Sequence, residues 1–146
     1  MLNILLAEDN PGDILLVKQA LEEHRIGHEL QVVEDGAAAL NFIVRMGSPG
    51  NPPCPDVLLL DMNLTKVDGP RVLAEFRKHP QCLHTPVIVI SSSDAQKDRE
   101  RMAALGVARY FRKPSDLDAF MQLGAVVLEV VSENDQPGAR SPEEKS

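Results

Sequence analysis

The pentapeptide Val57-Leu58-Leu59-Leu60-Asp61 restricts the fold more than any other stretch, because four consecutive apolar residues run straight into one acid. A strand with one wet face alternates apolar and polar side chains. An uninterrupted apolar run instead reads as a strand covered on both faces, as the central strands of helix-flanked parallel sheets are. Ligands of open α/β sheets bind just beyond the carboxyl ends of such strands. Asp61 therefore stands where chemistry is expected, or else it caps the next turn, and the other strand ends distinguish the two.

The same arrangement recurs along the chain. Asn3 to Ala7 is an apolar run ending on Glu8-Asp9-Asn10, and Pro11 suits the first turn of a helix predicted to reach about His24. In it Ile14, Val17 and Leu21 keep core spacing, while Leu15 points away from that stripe. Glu29 to Val33 is predicted as a second strand and Ala37 to Met46 as a second helix, with Leu40, Ile43 and Val44 inward. Gly47 to Pro55 carries too many prolines and glycines for regular structure and is a loop. After Asp61, Asp68-Gly69 makes a turn in which Asp68 caps a helix that buries Val72, Leu73 and Phe76 and stops at Pro80. Val87 to Ile90 is the fourth strand, ending on Ser91, Ser92 and Ser93, and Asp94 is the expected cap of a helix from about Ala95 to Leu105. Val107 to Arg112 is the fifth strand, ending on Lys113-Pro114, with Ser115 capping a last helix to about Val131. Strands alternating with helices in this way predict an α/β fold, a flavodoxin-like doubly wound five-stranded parallel sheet in the order 2-1-3-4-5 with five helices.

That order makes the first, third, fourth and fifth strands neighbours, so Glu8, Asp9, Asp61, Ser91 and Lys113 converge at one end of the sheet. Two carboxylates about 4 Å apart repel by roughly 4 kcal/mol at the effective dielectric of a protein surface. Lys113 cannot balance three of them alone, whereas lysine plus a divalent ion can. Hard oxygen ligands that leave room for water and phosphate suit Mg²⁺. The set suits phosphoryl transfer, in which an aspartate can serve as nucleophile and form an aspartyl-phosphate.

These residues resemble the receiver domains of two-component response regulators over Leu2 to about Val131. The likeness rests on the acidic pair Glu8-Asp9, on Asp61, on Asp68-Gly69, on Ser91 and on Lys113-Pro114, in the right strand order. It implies that Asp61 accepts a phosphoryl group from a histidine kinase, and that Glu8, Asp9, Asp61 and the backbone carbonyl of Asn63 surround Mg²⁺. It further implies that Ser91 and Lys113 contact the phosphoryl oxygens, that Tyr110 is the switching aromatic, and that a cis Lys113-Pro114 bond aims the lysine into the site. Thr65 stands where the family usually has proline, and Ser91 where threonine is common. The Glu8-Asp9-Asn10-Pro11 segment, the long loop before Asp61 and the C-terminal extension look most like the small single-domain regulators paired with bacterial phytochrome histidine kinases. In such a regulator Leu15, beside the acidic pair, is the expected kinase-docking residue, and the signal leaves through contact with a downstream protein.

The 146 residues suit a single domain, and a net charge of −7 with no basic stripe gives nucleic acid no electrostatic footprint. The first apolar run is too short for a signal peptide or a membrane span, so the chain is expected in the cytoplasm. Cys54 and Cys82 lack a paired spacing, and neither a disulfide nor a zinc site is expected of them. His24, His28, His79 and His84 read as solvated. Ser132 to Ser146 has no apolar residue larger than alanine or proline and is expected to be a disordered tail after a domain of residues 1–131. On the last helix Leu117, Phe120, Met121, Gly124, Val127, Leu128 and Val131 form the expected core stripe. Ala119, Leu123, Val126 and Val130 form a second apolar stripe almost opposite, expected to be the face of a homodimer.

Two other classes fit parts of the pattern. Asp61-Met62-Asn63-Leu64-Thr65 resembles the D-x-D-x-T signature of haloacid dehalogenase-type phosphatases, although Asn63 replaces the second acid. A flavodoxin-like interaction module would leave the carboxylate cluster without a purpose.

Overall fold

β3 (Val57–Asp61) lies at the centre of the sheet and is buried along its whole length, as its unbroken apolar run requires. The computed structural model describes residues 1–46, 48–93 and 95–135. Parallel to β3 run β1 (Leu2–Ala7), β2 (His28–Val33), β4 (Val87–Ser91) and β5 (Arg109–Arg112), in the order β2-β1-β3-β4-β5. Successive side chains of a strand point to opposite faces, so each central strand feeds two cores. Leu58, Leu60, Val87 and Val89 pack with Ile43 of α2 (Gly36–Arg45), with Val72 and Phe76 of α3 (Gly69–Lys78), and with Met102 of α4 (Gln96–Ala104). Leu59, Ile88 and Ile90 pack on the other side against Val17 of α1 (Pro11–Glu23) and Phe120 of α5 (Leu117–Asp135). The sheet is thus covered on both faces, as predicted.

Several local expectations are corrected. α5 continues through Asp135, so Ser132 to Asp135 are helical and not tail; residues 136–146 lie outside the described residues. Extending an existing helix adds one hydrogen bond per residue fixed, and Glu133 is held by Arg109 of β5 at 2.7 Å. Asp116 caps α5 instead of Ser115, its carboxylate accepting from the Ala119 N–H at 2.9 Å. The buried face of α5 is turned toward Leu123 and Val130, which are 0% and 3% exposed, while Leu117 and Leu128 are exposed. Leu123 and Val130 therefore belong to the core and form no dimer face; Ala119 and Val126 are half-buried. Gly124 allows this packing, since a Cβ there would lie 2.5 Å from the Ala20 carbonyl oxygen of α1. His24 bonds to the Met121 carbonyl at 3.0 Å across the same contact, so it is not simply solvated. Val44 is 77% exposed instead of inward. Asp94, the expected cap of α4, lies outside the described residues.

The largest correction concerns the cysteines. Cys54, in the loop before β3, and Cys82, in the 3₁₀ turn Pro80–Cys82 before β4, are joined in a disulfide with their Cα atoms 5.7 Å apart. Their 28-residue separation is bridged because parallel β3 and β4 begin side by side. No cis peptide occurs among the described residues, so the Lys113-Pro114 bond is trans.

Candidate functional site

At the carboxyl end of the sheet β1 delivers Glu8 and Asp9, β3 delivers Asp61, β4 ends on Ser91, and β5 leads into Lys113. Glu8 and Ser91 are fully buried, and Asp61 nearly so. The strand pairing extends past β5, with the Lys113 N–H donating to the Ser91 carbonyl at 2.7 Å, which sets the lysine next to the serine. Carboxylate oxygens of Glu8, Asp9 and Asp61 lie within 4.8 Å of one another.

Each acid is held by its own loop. Glu8 Oε2 accepts from the N–H groups of Asp9 and Asn10 at 3.1 and 3.2 Å. Asp61 Oδ1 accepts from the Asn63 N–H at 3.1 Å, so the backbone of Asn63 is already turned around the acid. Lys113 Nζ reaches Asp13 Oδ2 at 2.8 Å, Glu8 Oε1 at 2.9 Å and Asp61 Oδ2 at 3.6 Å. Asp13 was not anticipated; a carboxylate in the first turn of a helix reads as a dipole partner, and only its place one turn after the acidic pair hinted at the site.

Three carboxyls, of Glu8, Asp13 and Asp61, thus share one ammonium. Burial raises the Glu8 carboxyl to about 7, with the neighbouring Asp61 carboxyl adding to the effect. Burial alone would lower Lys113, but its hydrogen bond to Asp13, its close contact with Glu8 and the charge of Asp61 outweigh it and hold the ammonium well above its ordinary range. Among the described residues Glu8 Oε1 has no aligned hydrogen bond; its 2.9 Å contact with Lys113 is an ion pair. A buried carboxylate oxygen that is ion-paired without an aligned hydrogen bond and stands beside two further acids fits a hard divalent cation held by oxygen ligands.

The raised Glu8 carboxyl makes stability depend on pH. Between the ordinary carboxyl value of 4.5 and about 7 the unfolded chain has released the Glu8 proton while the folded chain retains it. Folded protein then binds more protons, so stability of the metal-free protein falls as pH rises through this window, by up to about 3 kcal/mol. Cation affinity rises over the same interval, because the ion needs the ionised carboxylate. Thermal melts with and without Mg²⁺ across the window test this, and parallel pH curves in the two series would refute it.

The loop after Asp61 is fixed by close backbone approaches. A Cβ on Gly69 would lie 2.6 Å from the Asp61 carbonyl oxygen and 2.8 Å from Met62 Cα, so only glycine lets α3 start this near the acid. Asp68 caps that helix through the Arg71 N–H, as expected. Thr65 contributes its backbone: its carbonyl accepts from Gly36 at 2.9 Å and from Val67 at 2.8 Å, tying the loop to the start of α2. Lys66 adopts φ 69° in that turn and pairs with Asp35 at 3.4 Å.

On the other side, Ser91 Oγ accepts from the Ser93 N–H at 3.0 Å, and the Tyr110 hydroxyl donates to the Ser93 carbonyl at 2.9 Å. Arg99 lies over the Tyr110 ring at 4.7 Å. The buried serine and the half-buried aromatic thus hold the same loop residue. Leu15 stands apart from the cluster on the outer side of α1 and is 55% exposed.

Residues 4–124 match the response regulator receiver domain. The chain belongs to that receiver family. Response regulator Rcp1 of Synechocystis sp. is 40% identical over 114 residues, 78% of each chain. The crystal structure of Mn²⁺-bound Rcp1 superposes with a TM-score of 0.77 at 37% identity, covering 86% of this chain and 91% of that one. The phosphorylated cyanobacterial phytochrome response regulator RcpA gives a TM-score of 0.81 at 34% identity, covering 92% and 96%. The bacteriophytochrome response regulator RtBRR gives 0.73 at 34% identity, covering 90% and 78%. Receivers are phosphoacceptor signalling proteins phosphorylated by histidine kinases, and neighbours of this one hold a metal ion. The receiver described here is homologous to phytochrome-associated regulators, and its five-stranded order is that of the family.

Proposed function

We propose that Asp61 is the phosphoacceptor of this receiver, with Mg²⁺ held by Glu8, Asp9, Asp61 and the backbone carbonyl of Asn63. The observation that carries the reading is the cluster of buried Glu8 and Asp61 with half-buried Asp9 beside one lysine, in which Glu8 Oε1 has no aligned hydrogen bond among the described residues. An Asp61 carboxylate oxygen attacks the phosphorus of a phosphohistidine; the P–N bond breaks and the imidazole leaves with its electron pair. Lys113 and the Ser91 hydroxyl take up oxygens of the transferred group, and the ion supplies charge neutralisation when bound. Movement of Ser91 toward the phosphoryl group pulls on Ser93, and the hydroxyl of Tyr110 follows through its hydrogen bond.

The donor is a sensor histidine kinase of the bacterial phytochrome kind, acting in the cytoplasm. Likeness to Rcp1, RcpA and RtBRR supports this. Leu15 is the docking residue, exposed on α1, the helix that follows the acidic pair. Output passes to a downstream protein or a second copy through the exposed Leu117 and Leu128 of α5. Sedimentation showing a strict monomer before and after phosphorylation would remove the second-copy reading.

The deciding experiment is phosphotransfer from a bacteriophytochrome kinase to the wild type, Asp61→Asn and Leu15→Asp, alongside phosphorylation by acetyl phosphate. Asp61→Asn accepts nothing from either donor, and Leu15→Asp loses at least tenfold in rate from the kinase only. Labelling of Asp61→Asn would overturn the acceptor assignment, and equal loss from both donors would remove Leu15 from docking.

A further inference from the structure

At the opposite end of β3 from the acids, a second cluster of ligating groups stands outside the receiver machinery. The Sγ atoms of Cys54 and Cys82 and a ring nitrogen of His79 lie within 4.8 Å of one another. His79 Nε2 faces the carbonyl oxygen of Met46 at 2.8 Å; a carbonyl only accepts, so this nitrogen carries the hydrogen. Nδ1 of the neutral ring is then a bare lone pair, and it is buried without a hydrogen-bond partner among the described residues. An imidazole whose N–H is fixed on a backbone carbonyl while its other nitrogen is unsatisfied is oriented as metal-bound histidines are.

The local sequence explains how the groups meet. His79 precedes the 3₁₀ turn Pro80–Cys82, which closes back on it as the Cys82 N–H donates to the His79 carbonyl at 3.0 Å, so the chain returns the sulfur to the ring. Cys54 is delivered by Pro52-Pro53-Cys54-Pro55, a segment whose prolines restrict the unfolded chain and lower the entropy lost in presenting it. Thr85 Oγ1 anchors the end of this segment by donating to the Pro55 carbonyl at 3.2 Å.

We propose that, with both sulfurs reduced, Cys54, Cys82 and His79 Nδ1 form a Zn²⁺ site, and that the disulfide is its metal-free, oxidised form. Two thiolates and one imidazole are a borderline-soft donor set that suits zinc, with one position left to water on the half-buried Cys54 side. Tetrahedral Zn²⁺ with these ligands needs donor separations of roughly 3.5–3.8 Å. The donor atoms already lie within 4.8 Å of one another, on cysteines whose Cα atoms are 5.7 Å apart. The exchange balances: a cellular dithiol gives two electrons to the disulfide and becomes a disulfide itself, leaving two thiols. Zn²⁺ then takes two thiolates with release of two protons, while neutral His79 donates its lone pair and loses none.

The test uses the full chain, reduced with a phosphine and titrated with Zn²⁺ or Co²⁺ alone. Co²⁺ is expected to give a thiolate-to-metal charge-transfer band saturating at one ion per chain, and Zn²⁺ to protect both thiols from alkylation. Asp61→Asn retains the band, which separates this site from the carboxylate cluster, whose oxygens give no such band. Cys54→Ser and Cys82→Ser abolish it, and His79→Ala lowers affinity at least tenfold. Cys82 is buried and its variant can misfold, so half-exposed Cys54 is the primary substitution, with circular dichroism as the check on folding. The proposal is overturned if reduced wild type shows no thiolate band, if Cys54→Ser leaves the band unchanged, if His79→Ala leaves the metal affinity unchanged, or if the native disulfide resists the reductant.

Discussion

The Lys113→Met variant unfolds about 3 kcal/mol more easily than wild type in the absence of metal, and Mg²⁺ recovers most of the loss. Lys113 is 15% exposed at its side chain and is the ammonium shared by Glu8, Asp13 and Asp61. Removing one partner of a buried ionic group leaves the others desolvated and uncompensated, which costs about 3–5 kcal/mol. The lower end applies because Glu8, with its carboxyl already raised to about 7, can take up a proton and relieve part of the repulsion. A divalent ion supplies the missing charge. Denaturant titrations with and without Mg²⁺ measure the difference, and an equal loss in both would mean that the lysine acts by packing. Phosphorylation of this variant by acetyl phosphate slows as well, since the cation nearest Asp61 is gone.

Gly36→Ala is expected to cost about 2–3 kcal/mol, the range of core overpacking, and to slow phosphorylation although residue 36 is no part of the acid cluster. A Cβ at Gly36 would lie 1.7 Å from the Val67 carbonyl oxygen and 2.5 Å from its carbonyl carbon. Backbone cannot swing aside as the tip of a lysine can. Either α2 retreats or the loop that begins at Asp61 moves, and the hydrogen bond from Gly36 to Thr65 is lost in both cases. Gly27→Ala is the control: its added Cβ meets nothing within 4 Å, and the change stays within about 0.5 kcal/mol. Equal melting of the two variants would show that the loop absorbs the clash.

Periodicity and strand ends made the sheet and most of its acid cluster legible in the sequence. Val57 to Leu60 could only be a covered strand, and once the strands were ordered, Glu8, Asp61, Ser91 and Lys113 had to meet. The features that escaped depended on rotation and on loops. The apolar residues of α5 run nearly all round the helix, so the sequence left its rotation open, and Gly124 decided it by letting α1 approach on the side of Leu123 and Val130. Asp13 was hidden because a first-turn acid is ordinary in any helix. Cys54, His79 and Cys82 belong to connections without a hydrophobic period, and only the shared start of β3 and β4 brings them together. The role of Thr65 lies in its carbonyl, which its side-chain type does not announce.

Tyr110 and its bond to Ser93 have an optical consequence. The chain contains one tyrosine and no tryptophan, so its near-ultraviolet emission is essentially the signal of a single ring. That ring sits under the Arg99 guanidinium, with its hydroxyl on the Ser93 carbonyl and Met62 Sδ 3.9 Å away. Any displacement of the loop after β4 changes the polarity and hydrogen bonding of the only strong fluorophore present. If the proposed switch moves Ser91 and Ser93, the protein carries an intrinsic reporter at that place, and occupancy of the site is then expected to be readable in real time on the unlabelled, native chain.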